Sequence, residues 1–316
     1  MICRSVVLFV VFLTFCATSF AAGDSVTFGT LVDEMTDLLR LGDYPEPGFR
    51  TVQFSSYDRR SNQPGGPGWF ANSDGFGNEP IPNFEAVIDP PDDRGVGRYL
   101  ICDVEGPGAI VRTWTAAIAG TIRVVLDGAE QPIYEGSAQQ FLQESYRIWA
   151  EIADVDATLF EGSFRQRDAC YLPIPFAQRC RIEWIGKTAE IHFYEVQVRR
   201  YEANTNVASF RPQDLQTYSS ELKRAAQILS DPQTHWPYRS KLAAEKIDVR
   251  IAPGQRVEAL QLKGPKAIER LTLKLAADDL DHALRQTVLQ VVFDDHSLPQ
   301  IQSPLGDFFG ASPGVN

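Results

Sequence analysis

The sequence predicts an all-β protein built as a tandem double β-jelly-roll with a connecting helix. Three observations indicate this fold class. Short apolar strands alternate with turns, two parts of the chain repeat the same motifs, and one amphipathic helical pattern lies between them. A chain of 316 residues can hold two such domains. We expect a first jelly roll over residues 51–203, a helical connector over 204–240 and a second jelly roll over 241–316.

Residues 1–22 have the pattern of a secretory signal peptide. Arg4 precedes the apolar run SVVLFVVFLTF, and the small residues of ATSFAA follow at the position where cleavage is expected. The apolar run is shorter than the roughly 20 residues that a membrane-spanning helix needs, so a membrane anchor is the less favoured alternative. The sequence therefore predicts a secreted or periplasmic protein that has no membrane attachment after cleavage.

An N-terminal helical segment is expected over residues 23–50. The apolar residues of TLVDEMTDLLRL recur at helical spacing, and they are Leu31, Met35, Leu38 and Leu39. The segment YPEPG that follows breaks the pattern. One short amphipathic helix fits this stretch.

Strand patterns dominate from Arg98 onward. Segments rich in Val, Ile, Tyr, Phe and Trp alternate with period two, and they are RYLICDV, AIVRTWTAAI, TIRVVLDG, DACYLPIPF, CRIEWIG and AEIHFYEVQVRRYE. In the last segment the alternation of Ile191 and Phe193 shifts by one residue before Val196, which indicates a bulge. Short strands at this spacing are typical of a sandwich or a jelly roll.

The stretch DLQTYSSELKRAAQILSDP, residues 214–232, predicts the connecting helix. Its apolar residues lie on one face, Asp214 is the expected cap, and the helix is expected to end before Pro232. Strands are predicted again in KIDVRIAP and VEALQLKG.

An internal repeat supports two copies of one fold. GPGAIVR at 106–112 matches GPKAIER at 264–270 with an offset of 158 residues. At an offset of 167 the matched pairs are Asp127 with Asp294, Pro132 with Pro299, and Phe141 with Phe308. The first copy continues for about sixty residues after Phe141, whereas the sequence ends soon after Phe308. We therefore expect the second jelly roll to be incomplete, with sheet edges left uncovered.

The net charge and the Cys and His residues indicate which classes of ligand and which kinds of metal or disulfide site are expected. The formal net charge of −11 is unfavourable for nucleic acid and for anionic membrane surfaces, and it leaves neutral sugars open as ligands. Cys102, Cys170 and Cys180 lie outside the signal pattern and lack CxxC spacing; three buried thiols are favoured over a Cys170–Cys180 bridge. The four His residues form no zinc motif, so neither a metal nor a cofactor is predicted.

Three polar motifs have settings that suit a sugar pocket: SSYDRR at 55–60, NSDGFGNE at 72–79 and GDFFG at 306–310. Their carboxylates offer acceptors for hydroxyl groups, and neighbouring aromatic rings offer stacking surfaces. Glycosidic cleavage uses two carboxylates. The candidates in the first and third motifs are Asp58, Arg59, Asp307, Phe308 and Phe309.

Each motif also has a structural interpretation. Asp58 and Arg59 fit an ion pair at a strand end, and GDFFG fits a β-turn with buried rings. Asp74 and Asn78 in the second motif fit turn positions better than calcium ligands, because the EF-hand order is missing. Asp127 and Asp294 also fit turns.

Six segments carry a family resemblance, and in chain order they are TLVDEMTDLLRLGDYP, SSYDRR, EGPGAIVRTW, IRVVLDG, LPIPF and SPLGDFFG. Together they resemble glycoside hydrolase family 172, which was first catalogued as a domain of unknown function. The resemblance extends from about residue 30 to residue 316. It implies a double jelly roll, trimers or multiples of trimers, and retaining exo-acting cleavage of α-linked fructofuranosyl or arabinofuranosyl units.

The resemblance also implies roles for particular residues. The family's SSYDR motif corresponds to Ser55, Ser56, Tyr57, Asp58 and Arg59, and its GDFFG motif to Gly306–Gly310. Both are pocket candidates. The catalytic glutamates of the family are expected after GDFFG, and the six residues that follow Gly310 contain no Glu. The resemblance therefore implies that this chain lacks both catalytic groups and is inactive by itself. A non-catalytic carbohydrate-binding or structural module is the competing interpretation.

Overall fold

The computed structural model of the chain describes residues 25–71, 84–236 and 244–311. The signal pattern of residues 1–22 and the candidate loop NSDGFGNE lie outside these residues. The chain divides into two compact units, Met1–Trp236 and Pro237–Asn316, and each is described by itself. None of the helices in the described residues has the length and apolar character that crossing a membrane requires.

The described part of the first unit contains eleven strands. They are β1 (Phe49–Ser55), β2 (Ala86–Asp89), β3 (Gly97–Glu105), β4 (Gly108–Ile118), β5 (Thr121–Leu126), β6 (Tyr134–Ser137), β7 (Arg165–Gln166), β8 (Ala169–Cys170), β9 (Ile174–Phe176), β10 (Arg179–Gly186) and β11 (Ile191–Tyr201). The first sheet has the order β1-β11-β4-β8-β7, with β9 also paired to β4, and the second has the order β2-β3-β10-β5-β6. Every pair of neighbours in these sheets is antiparallel.

The core of the first unit lies between the two sheets. Alternate residues of each strand point inward, so Ile110 and Val196 of the first sheet join Ile182 of the second in one buried cluster. The Phe84 ring stacks between the sheets, 5.5 Å from Trp184 and 5.7 Å from Tyr194 (centroid distances). Cys102, Cys170 and Cys180 are buried free thiols, as expected. The first unit is therefore a β-sandwich.

Charged side chains cover the outer face of the second sheet. Arg181 contacts Glu183 at 2.6 Å and Asp103 at 2.7 Å, and Arg98 also pairs with Glu183. Burial alone would raise the pKa of Glu183, but hydrogen bonds from Arg181 and Arg98 outweigh it and lower this pKa. The alternation of polar and apolar residues on β3 and β10 thus places ion pairs outside and the core inside.

The inward–outward alternation of β11 shifts earlier than predicted, at Phe193, whereas the register shift against β4 lies between Gln197 and Val198. Phe193 has a φ of 51°, and the Thr115 hydroxyl donates to its carbonyl oxygen at 2.8 Å. The alternation shifts at this residue, so Tyr194, instead of Phe193, enters the core. The prediction that Phe193 points inward was therefore wrong.

The N-terminal helix is shorter than predicted. α1 (Phe28–Glu34) is capped by the Thr27 side chain, and a 3₁₀ turn, Leu38–Gly42, follows it. Leu31 is buried, whereas Leu38 is exposed. The helical spacing of the sequence therefore predicted an α-helix that extends about two turns beyond its observed end at Glu34.

A 15-residue helix inside the sandwich region was not predicted. α2 (Ala138–Ile152) begins after Ser137, whose hydroxyl accepts from the Gln140 N–H at 3.3 Å. Phe141 and Trp149 are fully buried on its inner face. The sequence holds both signals, a Ser cap and helical apolar spacing. The first unit is thus mainly, but not wholly, β.

The predicted connecting helix is broken into α3 (Asp214–Thr217), α4 (Ser219–Ser230) and α5 (Pro232–His235). Asp214 lies inside the first turn instead of capping it, and its carboxylate accepts from the Arg211 N–H at 2.9 Å. Leu222 and Ala225 of α4 belong to the core of the first unit. This helical region therefore packs as part of the sandwich unit.

The described part of the second unit contains α6 (Leu280–Gln286), β12 (Val288–Val291), β13 (Ile301–Pro304) and α7 (Leu305–Phe308). The strands predicted in KIDVRIAP and VEALQLKG are absent, since residues 244–279 form neither helix nor strand. Ile247, Val249 and Ile251 keep the strand-like alternation but are exposed. Strand propensity alone does not form a strand, because each strand needs a hydrogen-bonded neighbour.

The hairpins of the two units reproduce the sequence repeat residue by residue. On β5 and β6, Thr121 pairs with Ser137 and Val124 with Tyr134. On β12 and β13 the pairs are shifted by the 167-residue offset of the repeat: Val288 pairs with Pro304, and Val291 with Ile301. Asp127 and Asp294 both occupy the left-handed region, with φ of 54° and 51°. Non-glycine residues rarely adopt this conformation, so the match supports a common local structure.

Candidate functional site

The motif SSYDRR begins where β1 ends. The Ser56 N–H donates to the Tyr194 carbonyl oxygen at 3.1 Å, and the Ser56 hydroxyl accepts from the Tyr194 N–H at 3.1 Å. These two bonds extend the β1–β11 pairing by one buried residue. The chain turns directly after Ser56, so the next four side chains cluster at this end of the first sheet.

Asp58 is a buried carboxylate that is held by the arginine two residues later. Arg60 Nε lies 3.0 Å from Asp58 Oδ1, and the Arg60 N–H donates to the same oxygen at 3.0 Å. The Asp58 side chain is 4% exposed and that of Arg60 is 68% exposed. The hydrogen bond to Asp58 raises the pKa of Arg60 above its ordinary value. The arrangement fixes the turn and directs the Arg60 guanidinium outward.

Arg59 lies in a different set of contacts. Its Nη2 is 2.5 Å from Glu85 Oε1, and its guanidinium lies 4.7 Å from the centre of the Tyr57 ring. Burial raises the pKa of the nearby Tyr194 hydroxyl, and the Arg59 charge acts against this shift. Tyr57 and Glu85 remain partly exposed beside Arg59. These contacts present a cation, a carboxylate and an aromatic ring together.

An open depression of about 690 Å³ lies beside Arg60, which lines it together with Pro67, Gly68, Phe70 and Ala71. The Ser61 hydroxyl donates to the Trp69 carbonyl oxygen at 2.6 Å, which ties the loop back toward the motif. Phe70 is 93% exposed. A ring exposed to this extent beside polar side chains is suited to stacking on an apolar ligand face.

The GDFFG motif forms the short helix α7 instead of a β-turn. Asp307 is ion-paired with Arg285 of α6, and Arg285 also donates to the Ala311 carbonyl oxygen. The Phe308 and Phe309 rings meet edge to face at 5.1 Å and are 38% and 39% exposed. The alternative interpretation of GDFFG as a β-turn with buried rings does not agree with the structure, and the role of these residues in a pocket stays a prediction.

The structure thus places the predicted residues in two groups. Tyr57, Asp58 and Arg59 lie together in the first unit, and Asp307 lies with Phe308 and Phe309 in the second. The sequence also fits an Asp58–Arg59 ion pair, but in the structure Asp58 pairs with Arg60 and Arg59 pairs with Glu85.

Sequence reasoning missed Arg60, Glu85 and Phe70. The Arg59-Arg60 doublet was a signal for a second ion pair, whereas Glu85 lies 26 residues from Arg59 and gave no local signal. Among the residues that the structure describes, no cluster of His, Cys, Asp and Glu side chains is arranged to hold a metal ion.

The fold and the first group together define a class of protein. Arg59, Glu85 and Tyr57 present guanidinium, carboxylate and aromatic groups at one end of a β-sandwich, and the adjacent Arg60 lines an open depression with the exposed Phe70 ring. Such groups suit the hydroxyls and apolar faces of sugars. These features are typical of carbohydrate-active β-sandwich proteins. Residues 47–218 match the family model of the GH172 first beta-sandwich domain, and residues 241–316 match the GH172 domain-like model. The chain belongs to glycoside hydrolase family 172. No curated protein sequence matches it.

Proposed function

We propose that the chain is part of an exo-acting, retaining furanosidase that removes α-linked fructofuranosyl or arabinofuranosyl units. Membership of the GH172 family supports action on glycosides. The observation that carries the proposal in this chain is the Arg59 guanidinium, held between Glu85 and the Tyr57 ring. A guanidinium held in this way has its N–H donors in fixed directions, and it can therefore orient sugar hydroxyl groups. The next residue, Arg60, lines the open depression.

Each residue of the first group has a distinct binding role in this proposal. Arg59 donates to a hydroxyl oxygen, and Glu85 accepts a hydroxyl proton. Phe70 stacks on the apolar face of the sugar. Asp58 is a positioning residue, because its carboxylate holds the Arg60 side chain and the turn. The two catalytic glutamates are placed after the GDFFG segment, as the resemblance implies.

The second group is proposed as a further sugar-binding element. Phe308 and Phe309 offer two partly exposed rings, and Asp307 offers a carboxylate that is aligned by Arg285. Its contribution is proposed to be separate from that of Arg59, because the two groups lie in different units.

Binding of an α-arabinofuranosyl oligosaccharide by the full chain tests this proposal. We expect saturable binding in calorimetry and a loss of at least about tenfold in affinity for Arg59→Ala, since a charge-assisted donor is removed. Arg94→Ala is the matched control, because Arg94 is exposed and pairs with Asp92 of its own loop. Equal affinity of Arg59→Ala and the unmodified chain would contradict the proposed site.

A non-catalytic carbohydrate-binding role is the second candidate. It is favoured by the pairing of both nearby carboxylates, Asp58 and Glu85, with arginines, which suits hydrogen-bond acceptance. Release of nitrophenol from nitrophenyl α-arabinofuranoside separates the two functions. Turnover by a form of the protein that carries the downstream glutamates supports the enzyme. Binding without turnover in that form supports the binding module.

The proposal also covers the fold of the two units, the oligomeric state of the protein and its export from the cell. We propose that both units are jelly rolls in tandem, which the matching hairpin registers support. A homotrimer or a multiple of it is proposed from the family resemblance, and analytical ultracentrifugation tests it. Export is proposed from the pattern of residues 1–22, and N-terminal sequencing of material secreted by the native host tests it.

A further inference from the structure

Tyr194 is a fully buried residue next to the candidate site, and the proposed function gives it no role. Its N–H donates to the Ser56 hydroxyl at 3.1 Å, and its carbonyl oxygen accepts from the Ser56 N–H at 3.1 Å. Its ring stacks on that of Phe84, with 5.7 Å between the ring centroids. Ser56 directly precedes Tyr57, and Phe84 directly precedes Glu85. Tyr194 therefore contacts both segments of the chain that form the site.

The backbone of the preceding residue explains why this tyrosine points inward. Phe193 has a φ of 51°, which a bulky residue rarely adopts. The Thr115 hydroxyl donates to the Phe193 carbonyl oxygen at 2.8 Å and supports this conformation. Strict alternation from the buried Ile191 would instead place Phe193 in the core and Tyr194 on the outer face. Strained conformations of this kind persist where the surrounding structure fixes them, and they are frequent at functional sites.

The Tyr194 hydroxyl contacts the Arg59 guanidinium from the buried side of the site. Burial raises the pKa of this hydroxyl, whereas the charge of Arg59 and a hydrogen bond from Arg59 act in the opposite direction. Arg59 thus has three partners, since it also contacts Glu85 at 2.5 Å and the Tyr57 ring at 4.7 Å. A long side chain that is held by three groups has lost much of its rotamer freedom before a ligand binds.

We propose that Tyr194 is a positioning residue of the candidate site, and that its hydroxyl fixes the directions of the Arg59 N–H donors. Tyr194 is 0% exposed, so it acts on a ligand only through Arg59. The left-handed conformation of Phe193 serves this arrangement, because it turns the Tyr194 side chain toward Arg59. The consequence for sugar binding rests on the proposed function, whereas the effect on the Arg59 side chain does not.

Tyr194→Phe tests the proposal, because it removes the hydroxyl and keeps the buried ring. In the full chain without ligand, NMR relaxation of the Arg59 Nε–H group reports the mobility of this side chain. We expect the order parameter of this group to fall below about 0.6, the range of flexible groups, in Tyr194→Phe but not in the unmodified chain. The Arg60 Nε–H group, which Asp58 holds, is the internal control and is expected to be unchanged.

Tyr99→Phe is the matched control variant. Tyr99 is 3% exposed and stacks on the same Phe84 ring at 4.5 Å, but its hydroxyl lies against Gly97. This variant is expected to leave the order parameter of Arg59 unchanged. The first unit contains all five Trp residues, so tryptophan fluorescence during urea unfolding compares the stability of the two variants.

A double-mutant comparison measures the consequence for the ligand. We expect Tyr194→Phe to weaken the binding of the α-arabinofuranosyl oligosaccharide about three- to tenfold in the otherwise unmodified chain. In Arg59→Ala the same change is expected to have no further effect, because the residue through which Tyr194 acts is absent. A role of Tyr194 in stability alone would give the same loss in both backgrounds.

Three outcomes would overturn the proposal. They are an unchanged order parameter of Arg59 in Tyr194→Phe, an equal fall of this order parameter in Tyr99→Phe, and an equal loss of affinity in both backgrounds. Failure of every variant to bind the oligosaccharide, together with a lowered Arg59 order parameter in Tyr194→Phe alone, would contradict the proposed function and support the action of Tyr194 on Arg59.

Discussion

The hairpins β5–β6 and β12–β13 share one register, but their apolar side chains are buried to different extents. Ile122 and Val124 on β5 are fully buried, whereas the equivalent Leu289 and Val291 on β12 are only partly buried. The difference arises because β10 and α2 cover the first hairpin. Local sequence is thus sufficient to set the pairing of two adjacent strands, while the contribution of that pairing to stability depends on the elements that pack against it.

The largest expected effect compares two equivalent core substitutions. Ile122→Ala is expected to lower the free energy of unfolding of the first unit by about 2–5 kcal/mol, because it leaves a cavity in a closed core. Leu289→Ala is expected to cost less than about 1 kcal/mol in the second unit, where the side chain is partly exposed. Urea unfolding followed by tryptophan fluorescence measures the first effect, and hydrogen exchange of residues 288–304 measures the second. Similar losses in both units would contradict the comparison.

A smaller effect is expected at the two left-handed aspartates. Asp127→Ala removes the acceptor for the Gln178 and Arg179 N–H groups and places Ala at a φ of 54°, so we expect a loss of about 2–3 kcal/mol. Asp127→Asn keeps an acceptor oxygen and tolerates the conformation, and about half of that loss is expected. Asp294→Ala is expected to leave the fluorescence-monitored transition unchanged. A full loss in Asp127→Asn would show that charge, instead of hydrogen bonding, holds this turn.

The smallest effect concerns pH. The hydrogen bond from Arg179, assisted by Arg181 and opposed by burial, lowers the pKa of Asp103. A carboxyl with a lowered folded-state pKa stabilises the fold above its unfolded-state pKa of about 4, and this stabilisation is lost as pH falls through the lower folded-state value. The equivalent position in the second unit is Gln261, which has no such titration.

Asp103→Asn should therefore reduce the stability of the first unit by about 1 kcal/mol at pH 7 and flatten its loss below about pH 4. Urea midpoints measured from pH 7 to pH 2.5 test this expectation. Asp93→Asn, a change at an exposed residue, is the control and is expected to follow the unmodified chain. An unchanged slope in Asp103→Asn would assign the acid sensitivity to other carboxylates.

The longer strands of the first unit, β3, β4, β5, β10 and β11, were predicted to within about two residues from sequence alone, whereas β2, β6 and β7 were not predicted. The segments RYLICDV and CRIEWIG became β3 and β10 because one face of each is buried and the alternation records this. Ser137 and the apolar spacing indicate the helix α2. It was not predicted, because strands were expected on both sides of it. The strand predictions in residues 244–263 failed since pairing partners, which no local pattern supplies, decide whether an extended segment becomes a strand.

In the candidate site, too, some features follow from the sequence and others only from the packing of distant residues. Tyr57, Asp58 and Arg59 are neighbours in the chain, so their proximity followed from the sequence. Which carboxylate each arginine meets did not follow, because Glu85 reaches Arg59 only through the packing of the first unit. The exposure of Phe70 also became evident only from the fold.

The sequence by itself determined the GH172 motifs, the alternation of the sandwich strands and the repeat that links the two hairpins. These are properties of short stretches, in which backbone geometry and side-chain period act over a few residues. The tertiary structure decided which alternating stretches became strands, where the inward–outward alternation of β11 shifts and how the ion pairs around Asp58 and Arg59 are assigned. Those outcomes depend on contacts between distant residues, and the free energy of such contacts is gained only when whole elements pack together.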